Sequence, residues 1–468
     1  MRIHSRWWAL LCALPAFAAS AAWVDAPQAA ALQGRIDQAV NKVLATTGVP
    51  SASIAVVKDG KVAYAQAYGK ARLPDTAAKP GMRYSIGSIS KQFAAAAILM
   101  LQQQGRLSLD DKLSKYFPDL TRANDITLRE LLSHTSGYQD YWPEDYVMPG
   151  MMHATTPARI MDTWAKKPLD FEPGSKWQYS NTGFVIIGAI IQKVSGLTPF
   201  EFLQKNVLPQ LGIHDAYDTN LKALPATDAR GYTRFALGPP RPAPKEGAGW
   251  MFGAGELAMT AQDLAQWDIS VLKQSLLQPS SYHAMETEVV LNDGLGSQYG
   301  LGVHVGSEGG RRVISHSGEV SGFTAMNVIY PDDDAAVVVL VNQDATPASD
   351  LVAKAVAKVL FDVQDPAAAK ALAQAREVFT GLQHGRIDRA LLTSNCNAYF
   401  DATALGDYAN SLAPLGAPQE FEQTAWRLRG GMTMRAYKIT FPKVTLSLST
   451  YAMPDGKLEQ YIVAPVVD

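Results

Sequence analysis

Leu32, Ile36, Val40, Val43 and Leu44 recur every three or four positions, the spacing of one helix face, and Gly48-Val49-Pro50 stops the pattern. The period then changes. Residues 51–57 are almost continuously apolar, Asp59-Gly60 supplies a turn, and 62–68 return, which predicts a β-hairpin. Much later, 302–305, 312–315, 323–330 and 336–341 predict four more strands, with turns at Glu308-Gly309-Gly310 and Pro331-Asp332-Asp333. A helix over 349–361 follows, its apolar face formed by Leu351, Val352, Ala355, Val356, Val359 and Leu360.

Between Gly105 and about Asn292 the pattern is mainly helical and rich in loops. Two ends distant in sequence therefore predict one antiparallel sheet flanked by N- and C-terminal helices, with a mainly helical subdomain inserted. That is an α/β (α+β) architecture, and the cleft between such lobes is a natural place for a site. After Asp365-Pro366 an alanine-rich run predicts a helical linker over 365–375. Residues 376–468 read as a separate small α+β domain of open role, with two or three helices and then strands over 433–441, 445–452 and 458–463. The main domain is assigned to 23–364.

The formal net charge is only −2, which argues against the basic stripe of a nucleic-acid binder. Hydrophobic residues make up 47% of the chain, enough for a substantial core. Residues 1–22 read as a secretory signal: Arg2 and Arg6 precede a short apolar stretch, and small residues follow at Ala16, Ala18, Ala19 and Ala21. The apolar run is short for a membrane span. The expectation is an exported, periplasmic protein with no membrane span after cleavage. Removing Cys12 with the signal leaves Cys396 alone, so neither an internal disulfide nor a cysteine metal cluster is expected.

Candidate chemistry begins at Ser88-Ile89-Ser90-Lys91, just ahead of the apolar stretch 94–101. Positions i and i+3 share a helix face, so the Lys91 amine can reach the Ser88 hydroxyl. A partly desolvated lysine can take the proton that makes serine a nucleophile. Alone the spacing proves little, because Ser270-Val271-Leu272-Lys273 repeats it. Tyr179-Ser180-Asn181 precedes an apolar helix over 184–191, and His316-Ser317-Gly318 ends a predicted strand. These also have decoys, Tyr408-Ala409-Asn410 and His304-Val305-Gly306.

The order Ser-x-x-Lys, Tyr-x-Asn, His-x-Gly resembles the serine β-lactamase and penicillin-binding-protein superfamily. The tyrosine in the second motif is similar to the branch of class C β-lactamases, D-Ala-D-Ala carboxypeptidases, D-aminopeptidases and related esterases. Leu131-Leu132-Ser133-His134-Thr135-Ser136-Gly137 and the run 253–264 are also similar to stretches of that branch. The resemblance spans about 32–362 and omits the C-terminal domain.

The resemblance implies that Ser88 is acylated and that Lys91 and Tyr179 share the proton work, the cation lowering the tyrosine's pKa. Asn181 bonds Lys91 or a substrate amide, and the N–H groups of Ser88 and Glu319 hold the oxyanion, beside Gly318. His316 stands where many relatives carry lysine. A mostly neutral histidine weakens the case for a β-lactamase, whose substrates present a carboxylate there. His134 reads as a loop-stabilising hydrogen-bonder, and Glu256 and Asp263 as helix-start residues. No cofactor or metal is expected, since no His/Asp/Glu cluster has ligand spacing. The leading expectation is an exported serine hydrolase acting on peptides of D-amino acids, a small-molecule or peptide substrate. A class C-like β-lactamase or short-chain carboxylesterase is the alternative, and a non-catalytic cell-wall-peptide binder is the alternative of another class. The loops near 138–155 and 239–250 are expected to shape the pocket.

Overall fold

The computed structural model describes residues 26–362 and 365–466. The signal assigned to 1–22, with Cys12, lies outside them. The chain divides into two compact units at Phe361/Asp362.

The first unit is organised on a seven-stranded antiparallel sheet. Its order is Thr76–Ala77, Lys61–Arg72, Ser51–Lys58, Ala335–Val341, Phe323–Tyr330, Arg311–Val320 and His304–Glu308. The hairpin forms at Asp59 and Gly60, both with positive φ. The far end of the chain pairs back onto it, with Ile54 opposite Val339. Alternation along the central strands sends Ala336, Val338 and Leu340 to one face and Val337, Val339 and Val341 to the other. Both faces are covered, so the strand reads as an unbroken apolar run.

One face packs on the helices Ala26–Thr47 and Ala348–Phe361 through Ile36, Val40, Val352 and Val356. Leu351, expected on that apolar face, is instead exposed; the buried stripe is Val352, Ala353, Val356 and Ala357, one position round the helix. The other face packs on the helix Ser90–Gln103, whose residues 90–101 are all buried. Behind it lies Asn181–Ser195, buried continuously from Thr182 to Ile191 and stopped by Gly196 in the left-handed region. Among the described residues no single helix is long and apolar enough to cross a membrane.

The strand predicted over 312–315 runs from Arg311 to Val320. His304–Glu308 covers it only as far as Ser315, so from His316 onward one edge is free to face other groups.

The second unit is a four-stranded meander, Glu420–Arg429, Met432–Thr440, Thr445–Ala452 and Leu458–Pro465. Its core gathers Phe379, Phe400, Phe421, Tyr437, Ile439 and Tyr461. The alanine-rich run proposed as a linker enters the helix Ala368–Gln383, whose Ala375, Val378, Phe379 and Leu382 are buried in this core. A buried Arg435–Asp365 pair, at 2.6 and 3.0 Å, ties that segment to the sheet. The arginine holds the Asp365 carboxyl down at about 2. Cys396 is buried and unpaired here.

Candidate active site

Ser88 sits in a single 3-10 turn, Gly87–Ile89, immediately before the helix Ser90–Gln103. Two close backbone approaches fix the turn against the free edge of the Arg311–Val320 strand. Gly87 has φ +51, and a Cβ there would lie 2.8 Å from the Glu319 nitrogen. A Cβ on Gly318 would lie 1.9 Å from the Ile86 carbonyl oxygen and 3.3 Å from the Ser88 nitrogen. Glycine is the residue that allows backbone to meet backbone at both positions. The Ser88 and Glu319 nitrogens are thereby brought to one place, at the start of a helix that favours negative charge.

Lys91 is completely buried, and its Nζ has three neighbours: Ser88 Oγ at 2.9 Å, Asn181 Oδ1 at 2.8 Å and the Ala254 carbonyl at 2.8 Å. Burial pushes its pKa down to about 7, against the opposing field of Asp140. Asn181 opens the helix Asn181–Ser195. Its backbone N–H and side-chain amide donate to Asp140 at 3.0 and 3.2 Å, which turns its oxygen toward Lys91. Asp140 falls in a loop that the motifs did not single out. Desolvation raises its pKa, opposed by these donors and by Lys91.

Tyr179 presents its ring to Lys91, with Nζ 4.9 Å from the ring centroid. Its hydroxyl is buried and makes no hydrogen bond of ordinary geometry, yet lies near enough to Ser88 for that group to bias its ionisation. The expected lowering of the tyrosine's pKa is reversed. Desolvation raises it far above the ordinary value, opposed by Ser88 and assisted by Asp140, so Tyr179 stays a neutral phenol. His134, at positive φ, stacks on Tyr179 at 4.2 Å and accepts the Ser180 N–H through Nδ1 at 3.1 Å, holding the Tyr-x-Asn loop.

His316 is buried within the strand rather than at its end. Its Nδ1 lies 2.5 Å from the Ser317 carbonyl, which can only accept, so Nδ1 carries the proton. Nε2 then accepts from the Tyr299 hydroxyl at 2.8 Å. Burial and the nearby Lys91 hold the imidazole pKa at about 3, so His316 is neutral. His304, set aside as part of a decoy motif, lies beside it with ring centroids 5.5 Å apart and lines the same cleft.

The other decoys stay apart. Ser270 bonds its own helix at the Trp267 carbonyl, Lys273 is exposed, and Tyr408 and Asn410 belong to the second unit. Asp263 does cap a helix, with Thr260. Glu256 does not: it precedes the strand Leu257–Met259, is 3% exposed, and accepts the Gly253 N–H at 3.2 Å. Burial raises its pKa to about 8.

The cleft over Ser88 measures about 560 Å³. Residues 140–147, His304, His316 and Glu319 all line it. The second expected loop contributes Pro242 to Glu246 to a neighbouring cavity instead. Among the described residues no group of three or more His, Cys, Asp or Glu side chains is placed to hold a metal ion.

A family model described as Beta-lactamase matches residues 36–360. Penicillin-binding protein 4* of Bacillus subtilis (strain 168) is 26% identical over 325 residues, 66% of this chain and 72% of that protein. Protein flp of Staphylococcus aureus (strain NCTC 8325 / PS 47) is 28% identical over 327 residues, 66% of this chain. The match spans 63% of flp, less than two thirds of its length. Among solved structures, a D-stereospecific amidohydrolase from Streptomyces sp. is similar with a TM-score of 0.61 at 25% identity, covering 71% of this chain and 99% of that one.

Proposed function

The chain belongs to the Beta-lactamase family, and from that premise we propose that it is a serine hydrolase cleaving an amide bond through an acyl-enzyme on Ser88. The observation that carries the reading is a buried Lys91, its pKa near 7, with Nζ 2.9 Å from Ser88 Oγ. A neutral lysine has two protons and one lone pair. The Asn181 and Ala254 oxygens can only accept, so they take the protons and leave the lone pair for the serine hydroxyl. Lys91 is then the base and Asn181 its positioning partner.

Ser88 Oγ attacks the carbonyl carbon as its proton passes to Lys91, and the Ser88 and Glu319 N–H groups hold the oxyanion. When the C–N bond breaks, the leaving nitrogen takes a proton from Lys91, with the neutral Tyr179 phenol placed to donate beside it. Water then attacks the ester with its proton going to Lys91, and as the C–Oγ bond breaks Lys91 returns that proton to Ser88 Oγ, freeing the acid product. The relative described as a D-stereospecific amidohydrolase supports substrates built from D-amino acids. The signal-like residues 1–22 support an exported enzyme.

The test is labelling with a fluorophosphonate and a fluorescent penicillin, read by peptide mapping. An adduct on Ser88 with either reagent, absent from Ser88→Ala, is the expected result. No adduct with either favours the non-catalytic cell-wall-peptide binder. A panel of D-amino-acid peptides, a cephalosporin and p-nitrophenyl esters then separates peptidase, β-lactamase and esterase.

The base assignment fixes a pH dependence. Lys91 works unprotonated, so kcat/KM rises with pH through about 7 and levels off above it. Asp140 favours the charged amine, so Asp140→Asn moves the rise to lower pH, measured as the midpoint of the kcat/KM profile.

A further inference from the structure

Among the described residues of the first unit, the two most exposed large hydrophobic side chains stand on one hairpin tip. Leu237 is 98% exposed and Phe235 72%. Neither packs against a hydrophobic core. A lone exposed leucine needs no explanation, but a phenylalanine and a leucine two positions apart leave apolar area in water at one spot.

The tip is held rather than slack. Tyr232–Thr233 pairs with Arg241–Pro242, and the Gly238 N–H donates to the Phe235 carbonyl at 3.0 Å, closing a turn with Ala236 at φ +51. Pro239 and Pro240 restrict the returning arm. At the base the Tyr232 N–H donates to the Asn342 carbonyl at 3.1 Å. Arg234 donates to the Thr47 and Gly48 carbonyls at 3.1 and 2.7 Å. A slack loop could fold its apolar groups away, whereas this one presents them from a fixed backbone.

The charge around the tip has one sign. Residues 229–245 contain Arg230, Arg234, Arg241 and Lys245 and no Asp or Glu, in a chain whose 44 acids outnumber its 42 bases. Arg241 lies opposite Thr233, two positions before Phe235, and so flanks the tip. Arg241 and Arg230 are exposed, and among the described residues neither forms an ion pair. Cations beside exposed apolar side chains complement an anionic bilayer, whose headgroups meet the charge while its boundary takes up the rings and methyls. Two side chains on one turn fall far short of the roughly 1,000 Å² that a stable protein interface buries, which favours lipid over a partner protein or a second copy.

We propose that the 232–242 hairpin is a membrane-surface anchor: Phe235 and Leu237 enter an anionic bilayer at headgroup level, and Arg241 and Arg230 attract its phosphates. The anchor is peripheral and reversible, and holds the first unit at a lipid surface without spanning it. It is independent of the chemistry at Ser88.

The test is cosedimentation of the full chain with vesicles of mixed phosphatidylcholine and phosphatidylglycerol, against vesicles of phosphatidylcholine alone. The mixed vesicles bind about ten-fold more tightly, and added salt removes the preference. Phe235→Ser with Leu237→Ser weakens binding to the mixed vesicles by about ten-fold or more. Arg230→Gln with Arg241→Gln weakens it by about five-fold or more and abolishes the lipid preference. All four side chains are exposed, and an unchanged thermal melt verifies the fold of each variant. No binding to mixed vesicles, equal binding to both lipids, or binding that the serine variant leaves unchanged overturns the anchor. Self-association that the serine variant abolishes, without vesicle binding, also overturns it and assigns the tip to a second copy.

Discussion

Lys91→Met lowers the rate of fluorophosphonate labelling at Ser88, and kcat/KM on any substrate turned over, by about a thousand-fold or more. The physical reason lies in the three contacts of one buried nitrogen. Methionine fills much the same volume but has no basic atom to take the serine proton, and it leaves the Asn181 and Ala254 oxygens without their donor. Those unsatisfied oxygens cost about 1–3 kcal/mol each, while removal of a buried amine returns its desolvation penalty. The two terms oppose, so the thermal melt moves far less than the rate. Lys91→Arg separates base from charge: guanidinium stays protonated and cannot accept the serine proton. It is therefore expected to be as inactive as the methionine variant. Arginine activity within ten-fold of the parent would mean that charge, not basicity, is what Lys91 supplies.

The three motifs were legible because each is local: a hydroxyl and an amine one helical turn apart, a tyrosine and an asparagine before a helix, a histidine and a glycine on a strand. What they lean on was harder to see. Asp140 lies 41 residues before Asn181 in a loop with no periodicity, and nothing local marks a carboxylate whose function is to turn a distant amide. The central strands read well because they are buried on both faces. The Arg311–Val320 strand was cut short because His-Ser-Gly-Glu breaks the apolar alternation, and glycine is depleted in strands for lack of a packing side chain. Glu420–Arg429 was missed for a related reason. It is an edge strand whose side chains, apart from Phe421, are largely solvent-facing, so it carries almost no period-two signal. Tyr179 shows the limit of reasoning from neighbours alone. A nearby cation suggests a lowered pKa, but burial of the hydroxyl raises it, and that burial depends on packing from residues far apart in sequence.

Gly318→Ala lowers kcat by about a hundred-fold or more, the scale of losing an oxyanion donor, even though the added group is one methyl. The new Cβ would sit 1.9 Å from the Ile86 carbonyl oxygen, far inside the 3.0 Å that real Cβ contacts essentially never breach. Both partners are backbone, so no side chain can rotate away. The strand and the Ser88 turn must separate. Gly318 is paired to Ala325 on its other side, where a central, buried sheet resists displacement. The turn therefore has to yield, carrying the Ser88 nitrogen and hydroxyl with it. The Glu319 and Ser88 N–H groups no longer converge on one oxygen, and Oγ leaves its 2.9 Å contact with Lys91. Substitution at Gly87 strains the same contact from the opposite side, because a side chain there meets the Glu319 nitrogen and a positive φ together. Kinetics and a thermal melt on the same preparation check the expectation. A cooperative melt with kcat reduced locates the damage at the oxyanion, whereas unchanged kcat means that the two N–H groups do not carry the transition-state charge.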